Sequence, residues 1–299
     1  MESVISCSSS GPRRSTGSSS IGSTGRGSEP VDRETGADVA RRRRPPVIVG
    51  AGLKMYLGHW ETLDWLGEVA RVAEGHPGLR RGSVELFVLP SFPTLVHAVR
   101  TLSRLGVGVG AQDLFWEDAG PYTGEVSGAE LAELGCSFVE VGHLERRTYF
   151  GETDDTVSAK TAAAFRNRLT PIICVGESSP RAPDDAAEEC VRQLDNAFRQ
   201  SRRAGRLSSA LVAYEPHWAI GAAAAADPGY IRTVCAALKS ALQADEALRG
   251  SRVMYGGSAG PGLLTEISGA ADGLFLGRAS HDPVGLEAVL DEATALTTH

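Results

Sequence analysis

The chain has 299 residues, 42% of them hydrophobic, and a formal net charge of −7, which suits one α/β domain of ~250 residues with a large core. Residues 1–45 hold eight Arg against five acidic residues, so they carry +3 and leave −10 on the remainder; an acidic body of this kind argues against a nucleic-acid surface on the folded part. No apolar run approaches the ~18 residues of a membrane span. The five cysteines Cys7, Cys136, Cys174, Cys190 and Cys235 lack Cys-x-x-Cys or zinc spacing, so they read as reduced, mostly buried thiols of an intracellular protein.

Residues 1–45 are rich in Ser, Gly and Arg and have no apolar periodicity. Ordering them costs entropy with little burial in return, so a disordered tail is expected. The run Arg41–Arg44 before Pro45-Pro46 marks the boundary and reads as a solvated charge run. Residues 1–28 are Ser-rich and nearly free of acids, a composition that also suits a transit peptide within residues 1–40. Glu29, Asp32, Glu34 and Asp38 follow closely without an amphipathic helix, which leaves a dispensable extension and a cytoplasmic protein as the default reading.

Residues 46–299 alternate β-rich and helical patterns. Strands are predicted at Val47–Gly50, Val84–Leu89, Val107–Ala111, Phe138–Gly142, Pro171–Gly176, Leu211–Tyr214, Val253–Gly256 and Gly273–Gly277. Helical patterns between them are clearest at Trp60–Glu74, Thr156–Arg168, Asp184–Arg203, Gly229–Ala247 and Val284–Ala295. Such alternation implies parallel strands with right-handed crossovers, and eight units fit a closed (β/α)8 barrel. An open doubly wound sheet is the competing fold, but Gly-x-Gly-x-x-Gly is absent after the first strand, and Gly106–Gly110 lies inside the third.

A barrel carries its chemistry at the C-terminal ends of its strands. Strand 1 ends near Lys54, strand 4 at Gly142-His143, strand 6 at Glu215, strand 7 at Gly256-Gly257-Ser258 and strand 8 at Gly277-Arg278. A cation, an imidazole, a carboxylate and two glycine-rich loops suited to a phosphate thus share one rim. The stretch Tyr214-Glu215-Pro216-His217-Trp218-Ala219-Ile220-Gly221 places a base at a strand end, followed by a loop able to fold over it and exclude water.

These residues resemble the triosephosphate isomerase family. Tyr214–Gly221 departs from the family's base motif only at His217, which reads as a packing or surface residue of the lid. Gly142-His143-Leu144-Glu145-Arg146-Arg147, Cys174-Val175-Gly176-Glu177, Tyr255-Gly256-Gly257-Ser258 and Gly120-Pro121-Tyr122-Thr123-Gly124-Glu125 resemble four further family motifs in chain order, from residue 47 to about 290. The resemblance implies a TIM barrel that needs no cofactor or metal and moves a proton between adjacent carbons of a small phosphosugar through an enediolate. It implies Glu215 as base, His143 as neutral electrophile, and Lys54 as the cation that holds the phosphate and stabilises the enediolate. Gly52, Gly221, Ser258, Gly277 and Arg278 would bind substrate. Glu145 would be a supporting ion-pair partner of Lys54 or an Arg, and Cys174 buried packing. The family's loop at Trp116–Glu125, with Thr123 at its tip, enters a neighbouring subunit, so a homodimer is expected.

Departures bear on the substrate. Gly52 stands where the family has an asparagine that donates near the reacting oxygen and is braced by the partner's threonine; its loss removes a donor and is expected to open space. Leu144 replaces a hydroxyl, Arg278 replaces a phosphate-loop glycine, and Gly221–Ala226 replaces the usual lid sequence. The resemblance therefore implies interconversion of glyceraldehyde 3-phosphate and dihydroxyacetone phosphate, or, through the Leu53-Lys54-Met55-Tyr56 and Leu274–Arg278 variants, conversion of the four-carbon L-erythrulose 1-phosphate to D-erythrulose 4-phosphate. A catalytically inactive barrel kept as a binding protein is the remaining alternative, and the joint presence of Lys54, His143 and Glu215 opposes it.

Overall fold

The computed structural model describes residues 46–297; the expectations for residues 1–45 lie outside them. Eight strands, β1 (Val47–Gly52), β2 (Val84–Leu89), β3 (Gly108–Ala111), β4 (Phe138–Val141), β5 (Thr170–Val175), β6 (Leu211–Tyr214), β7 (Arg252–Tyr255) and β8 (Gly273–Leu276), form a closed parallel barrel in chain order. β8 closes on β1 in the register Ile48↔Gly273 to Ala51↔Leu276. The helices are α1 (His59–Gly75), α2 (Pro77–Arg80), α3 (Leu95–Leu102), α4 (Gly128–Leu134), α5 (Leu144–Phe150), α6 (Asp154–Arg166), α7 (Pro183–Arg203), α8 (Pro228–Ala244), α9 (Leu263–Glu266) and α10 (Pro283–Thr297). Among the described residues, no helix is long and apolar enough to cross a membrane.

The alternation of strand residues builds two cores. Val49, Ala51, Val139, Val141, Val212 and Tyr214 join the layer between barrel and helices, whereas Ile48, Phe87, Leu89, Ile172, Cys174, Met254 and Phe275 fill the barrel. Strands buried on both faces read as continuous apolar runs, which is why the sequence locates them well. Inside, glycine makes room for aromatic rings. A Cβ on Gly50 would lie 2.2 Å from Phe87 Cζ, and one on Gly108 would lie 2.4 Å from Phe138 Cε2. Phe87 stacks on Phe138 at 4.9 Å and on Phe275 at 5.9 Å between centroids, a contact set that helps hold Phe275 in place.

The helices that carry the rim start from defined caps. His143 caps α5 through its own imidazole, and Asp227 caps α8 by accepting the Gly229 and Tyr230 N–H groups, with Pro228 at the first helical position, an arrangement that satisfies otherwise orphaned donors. α7 has Asp184 and Asp185 in its first turn and Arg202 and Arg203 in its last, matched to the helix dipole. Under the rim, the buried Lys160 ammonium donates to Asp113 at 2.6 Å, and Arg146 of α5 pairs with the same carboxylate at 2.9 Å. This network ties α5, and with it His143, to α6 and to the loop after β3.

Candidate active site

Lys54, His143, Glu215, Gly221, Ser258, Gly277 and Arg278 line one cleft of about 650 Å3 at the C-terminal end of the barrel, together with Gly52, Glu140 and Phe275. Lys54 adopts a left-handed backbone, φ 48°, a conformation with a cost for a side-chain-bearing residue. Gln112 supports it by donating its Nε2 hydrogens to the Lys54 and Leu89 carbonyls, both at 2.9 Å. The ammonium meets Glu145 Oε1 at 2.6 Å. Burial works against the charged form of Lys54, and the Glu145 carboxylate outweighs it, so the pKa lies above the ordinary lysine value.

His143 is set by the start of α5. Its Nδ1 accepts the Glu145 backbone N–H at 3.2 Å, which puts the proton of a neutral ring on Nε2. Burial, then the Lys54 charge, lowers its pKa to about 4. A neutral imidazole therefore presents Nε2–H to the cleft, 3.4 Å from Glu215 Oε2.

Glu215 follows β6, with its N–H bonded to the Val175 carbonyl at 2.8 Å. Two glycines let it approach. A Cβ on Gly176 would lie 1.9 Å from the Glu215 carbonyl oxygen, and one on Gly256 would lie 2.5 Å from its Oε1. The carboxyl is 6% exposed, and its Oε2 is buried without a hydrogen-bond partner. Burial raises its pKa to about 7, against the lowering effect of Lys54. A desolvated carboxylate of that basicity matches the demands of a general base near neutral pH.

The lid, residues 216–226, is anchored at both ends. Glu177 accepts from Trp218 Nε1 at 2.7 Å and Tyr230 Oη at 2.9 Å, while the Ala226 N–H donates to Tyr255 Oη at 3.0 Å. Ser258 Oγ donates to the Ala219 and Ala222 carbonyls, and Arg278 Nη2 donates to the Gly221 carbonyl at 3.0 Å. The side chains of Ser258 and Arg278, expected at the phosphate, are thus engaged with the lid carbonyls beside it. His217 donates its N–H to the Glu177 carbonyl, and the Cys174 thiol is buried.

Two placements change the sequence reading. Gly52 does not open free space, because a Cβ there would lie 3.1 Å from Phe275 Cζ: the ring occupies the side of the cleft where a side chain at 52 would stand. Glu140, passed over in the sequence, lines the cleft as a buried carboxyl. The signal was the alternation Phe138-Val139-Glu140-Val141: the two valines face the helices, so the carboxyl faces the barrel interior. Thr123 is elsewhere. It lies exposed on the loop between β3 and α4, the loop in which the Phe115 ring stacks on Trp116 at 4.0 Å and meets Tyr122 at a tilt, 4.5 Å between centroids. Arg166 bonds Asp118 and the Trp116 carbonyl, which fixes the shape of that loop.

A buried carboxylate, a neutral imidazole donor and a lysine cation around one small cleft, beside a tethered lid, make up a set of groups suited to moving a proton between neighbouring carbons. The comparisons with known proteins agree. The family model described as triosephosphate isomerase matches residues 47–293, and the chain belongs to that family. It is 49% identical over 252 residues to an L-erythrulose-1-phosphate isomerase of Pectobacterium atrosepticum, covering 84% of this chain and 97% of that protein. It is 42% identical over 253 residues to a triosephosphate isomerase of Moorella thermoacetica, covering 83% of this chain and 98% of that one. The crystal structure of triosephosphate isomerase from Bartonella henselae superposes with a TM-score of 0.69 at 28% identity, over 83% of this chain and 98% of its own.

Proposed function

We propose that this protein isomerises L-erythrulose 1-phosphate by moving the carbonyl from carbon 2 to carbon 3, which yields erythrulose 4-phosphate. The observation that carries this reading is the wall at Gly52. The asparagine amide of the family pattern is replaced by a glycine with the Phe275 ring against it, so the side of the cleft that recognises the three-carbon substrate in that pattern is rebuilt. The 49% identity to an L-erythrulose-1-phosphate isomerase supports it.

L-erythrulose 1-phosphate is dihydroxyacetone phosphate with one more hydroxymethyl group on the reacting carbon. Glu215 takes the proton from carbon 3, and the C–H electron pair becomes the new C2–C3 double bond while the carbonyl electrons move onto the carbon-2 oxygen. The His143 Nε2–H and the Lys54 ammonium stabilise that oxyanion, whose charge has no water to solvate it. The imidazole supplies its proton to the carbon-2 oxygen and recovers one from the carbon-3 hydroxyl. Glu215 then returns its proton to carbon 2, and the carbonyl stands at carbon 3. The phosphate lies toward Gly221, Ser258, Gly277 and Arg278.

Interconversion of glyceraldehyde 3-phosphate and dihydroxyacetone phosphate is the second reading. The retained Lys54, His143 and Glu215, together with 42% identity to a triosephosphate isomerase, favour it. The aromatic loop at Trp116 and Tyr122 is poor monomer surface, so the working form is a homodimer with Thr123 at its interface. The test is turnover of L-erythrulose 1-phosphate in deuterium oxide. Erythrulose 4-phosphate carrying deuterium at its carbon 3, which was carbon 2 of the substrate, supports the reading, and no exchange and no product on this substrate would refute it.

A further inference from the structure

β4 brings a second carboxyl into the cleft. Glu140 lies on the inner face of the strand, one pleat repeat, ~7 Å, deeper in the barrel than Gly142, and it is 7% exposed. It lines the same cleft as Glu215, Gly52 and Phe275. Its one hydrogen bond among the described residues comes from the Cys174 thiol, at 3.5 Å to Oε1, and a thiol is a weak donor. A buried carboxyl with so little compensation is costly for the fold. Two buried acids outside the cleft are matched: Asp113 has Lys160 and Arg146, and Glu177 has Trp218, Tyr214 and Tyr230. Glu140 has no such set.

The substrate is oriented by its phosphate at the lid and the ends of β7 and β8, and by its reacting carbons between Glu215 and His143. In a four-carbon chain the terminal hydroxymethyl is the group farthest from the phosphate. Glu140, on the inner wall with Gly52 and Phe275, offers unfilled hydrogen-bonding capacity in the same cleft. We infer that Glu140 binds the terminal hydroxyl of the four-carbon substrate and so sets the preference for it over the three-carbon one, an inference that rests on the four-carbon reading above. Burial first, and the Glu215 charge second, push the Glu140 pKa up to about 8, so at neutral pH the group is mostly the neutral acid. It donates its O–H to the substrate oxygen and accepts on its carbonyl oxygen, without placing a second negative charge beside the base. The three-carbon substrate has no group to reach it and leaves it unpaired, a kind of mismatch that discriminates strongly in buried sites.

The test crosses two enzymes with two substrates: wild type and Glu140→Leu, each on L-erythrulose 1-phosphate and on its 4-deoxy analogue, with dihydroxyacetone phosphate as reference. Wild type should prefer the hydroxylated substrate over the deoxy analogue in kcat/KM by ~10–10². In Glu140→Leu that preference should fall below ~5-fold, and the ratio of four- to three-carbon kcat/KM should drop by a similar factor. Glu140→Gln, which keeps a donor and an acceptor, should restore most of the preference. A wild-type enzyme inert on L-erythrulose 1-phosphate overturns the four-carbon reading and the inference with it. A wild-type enzyme that turns it over but ignores the 4-hydroxyl, or a Glu140→Leu variant that slows all three substrates alike, overturns the role of Glu140 alone. The deoxy comparison on wild type decides the matter even if the leucine variant does not fold.

Discussion

The rim, where Lys54, His143 and Glu215 follow β1, β4 and β6, and the inner wall, where Gly52, Glu140 and Phe275 stand on β1, β4 and β8, are two halves of one cleft, and they differ in how the chain builds them. At the rim the special positions hold three polar side chains in place. Gly176 and Gly256 leave room for Glu215, His143 is fixed by the Glu145 N–H, and Lys54 is held against Glu145. At the wall, Gly52 departs from the family pattern, and Glu140 and Phe275 line the cleft beside it. The comparison teaches that reaction type and substrate choice occupy separate walls, so substitutions in the two should have separable effects.

The largest effect should come from the rim. Glu215→Gln removes the proton acceptor while keeping its shape, and kcat should fall by ~10²–10⁴ on every substrate the enzyme accepts. Near-normal turnover by that variant would remove the rim from the chemistry altogether.

Acidification attacks the same group. Glu215 accepts a proton only as a carboxylate, and its pKa is raised to about 7, so kcat/KM should decline with falling pH through about 7, by roughly tenfold per unit once well below it. His143, with its pKa near 4, is neutral throughout that range and should add no second limb above about pH 5. A flat profile from pH 8 to pH 5.5 would contradict the assignment of the base.

A mid-sized effect is expected at the wall. Gly52→Asn alone must push the Phe275 ring, which is stacked against Phe87, and should cost ~1–3 kcal/mol of stability in thermal unfolding. Gly52→Asn combined with Phe275→Leu relieves that crowding. The pair should move the kcat/KM ratio toward the three-carbon substrate by roughly tenfold, the worth of about one ordinary hydrogen bond. An unchanged ratio in the double variant would show that this wall does not read the substrate.

The smallest effect belongs to the loop tip. The asparagine that a partner's threonine braces in the family pattern is absent here, so Thr123→Val should leave the dimer intact and cost under ~1.5 kcal/mol in turnover. Sedimentation showing a monomer at micromolar concentration would sink the assembly on which this rests.

The barrel was legible in the sequence because its strands are apolar on both faces; β2 and β6 have their predicted bounds, and no end of the other strands is more than two residues from its predicted place. The rim residues were legible because strand ends and glycine-rich turns mark them. The wall was not, for physical reasons. Whether Gly52 opens a space depends on Phe275, more than two hundred residues away, and its ring position depends in turn on Phe87 and on Gly50. Glu140 sits amid apolar strand residues, and periodicity alone does not say what a buried carboxyl faces. The engagement of Ser258 and Arg278 with lid carbonyls likewise depends on where the lid rests.

The central claim is that the rim supplies a shared proton transfer while the wall selects a four-carbon chain. Its most direct test is kcat/KM for L-erythrulose 1-phosphate and for glyceraldehyde 3-phosphate, measured on one preparation of the full chain at about pH 7.5, between the Glu215 pKa of about 7 and the Glu140 pKa of about 8. The account predicts at least roughly tenfold preference for L-erythrulose 1-phosphate; equal values, or preference for glyceraldehyde 3-phosphate, would contradict it.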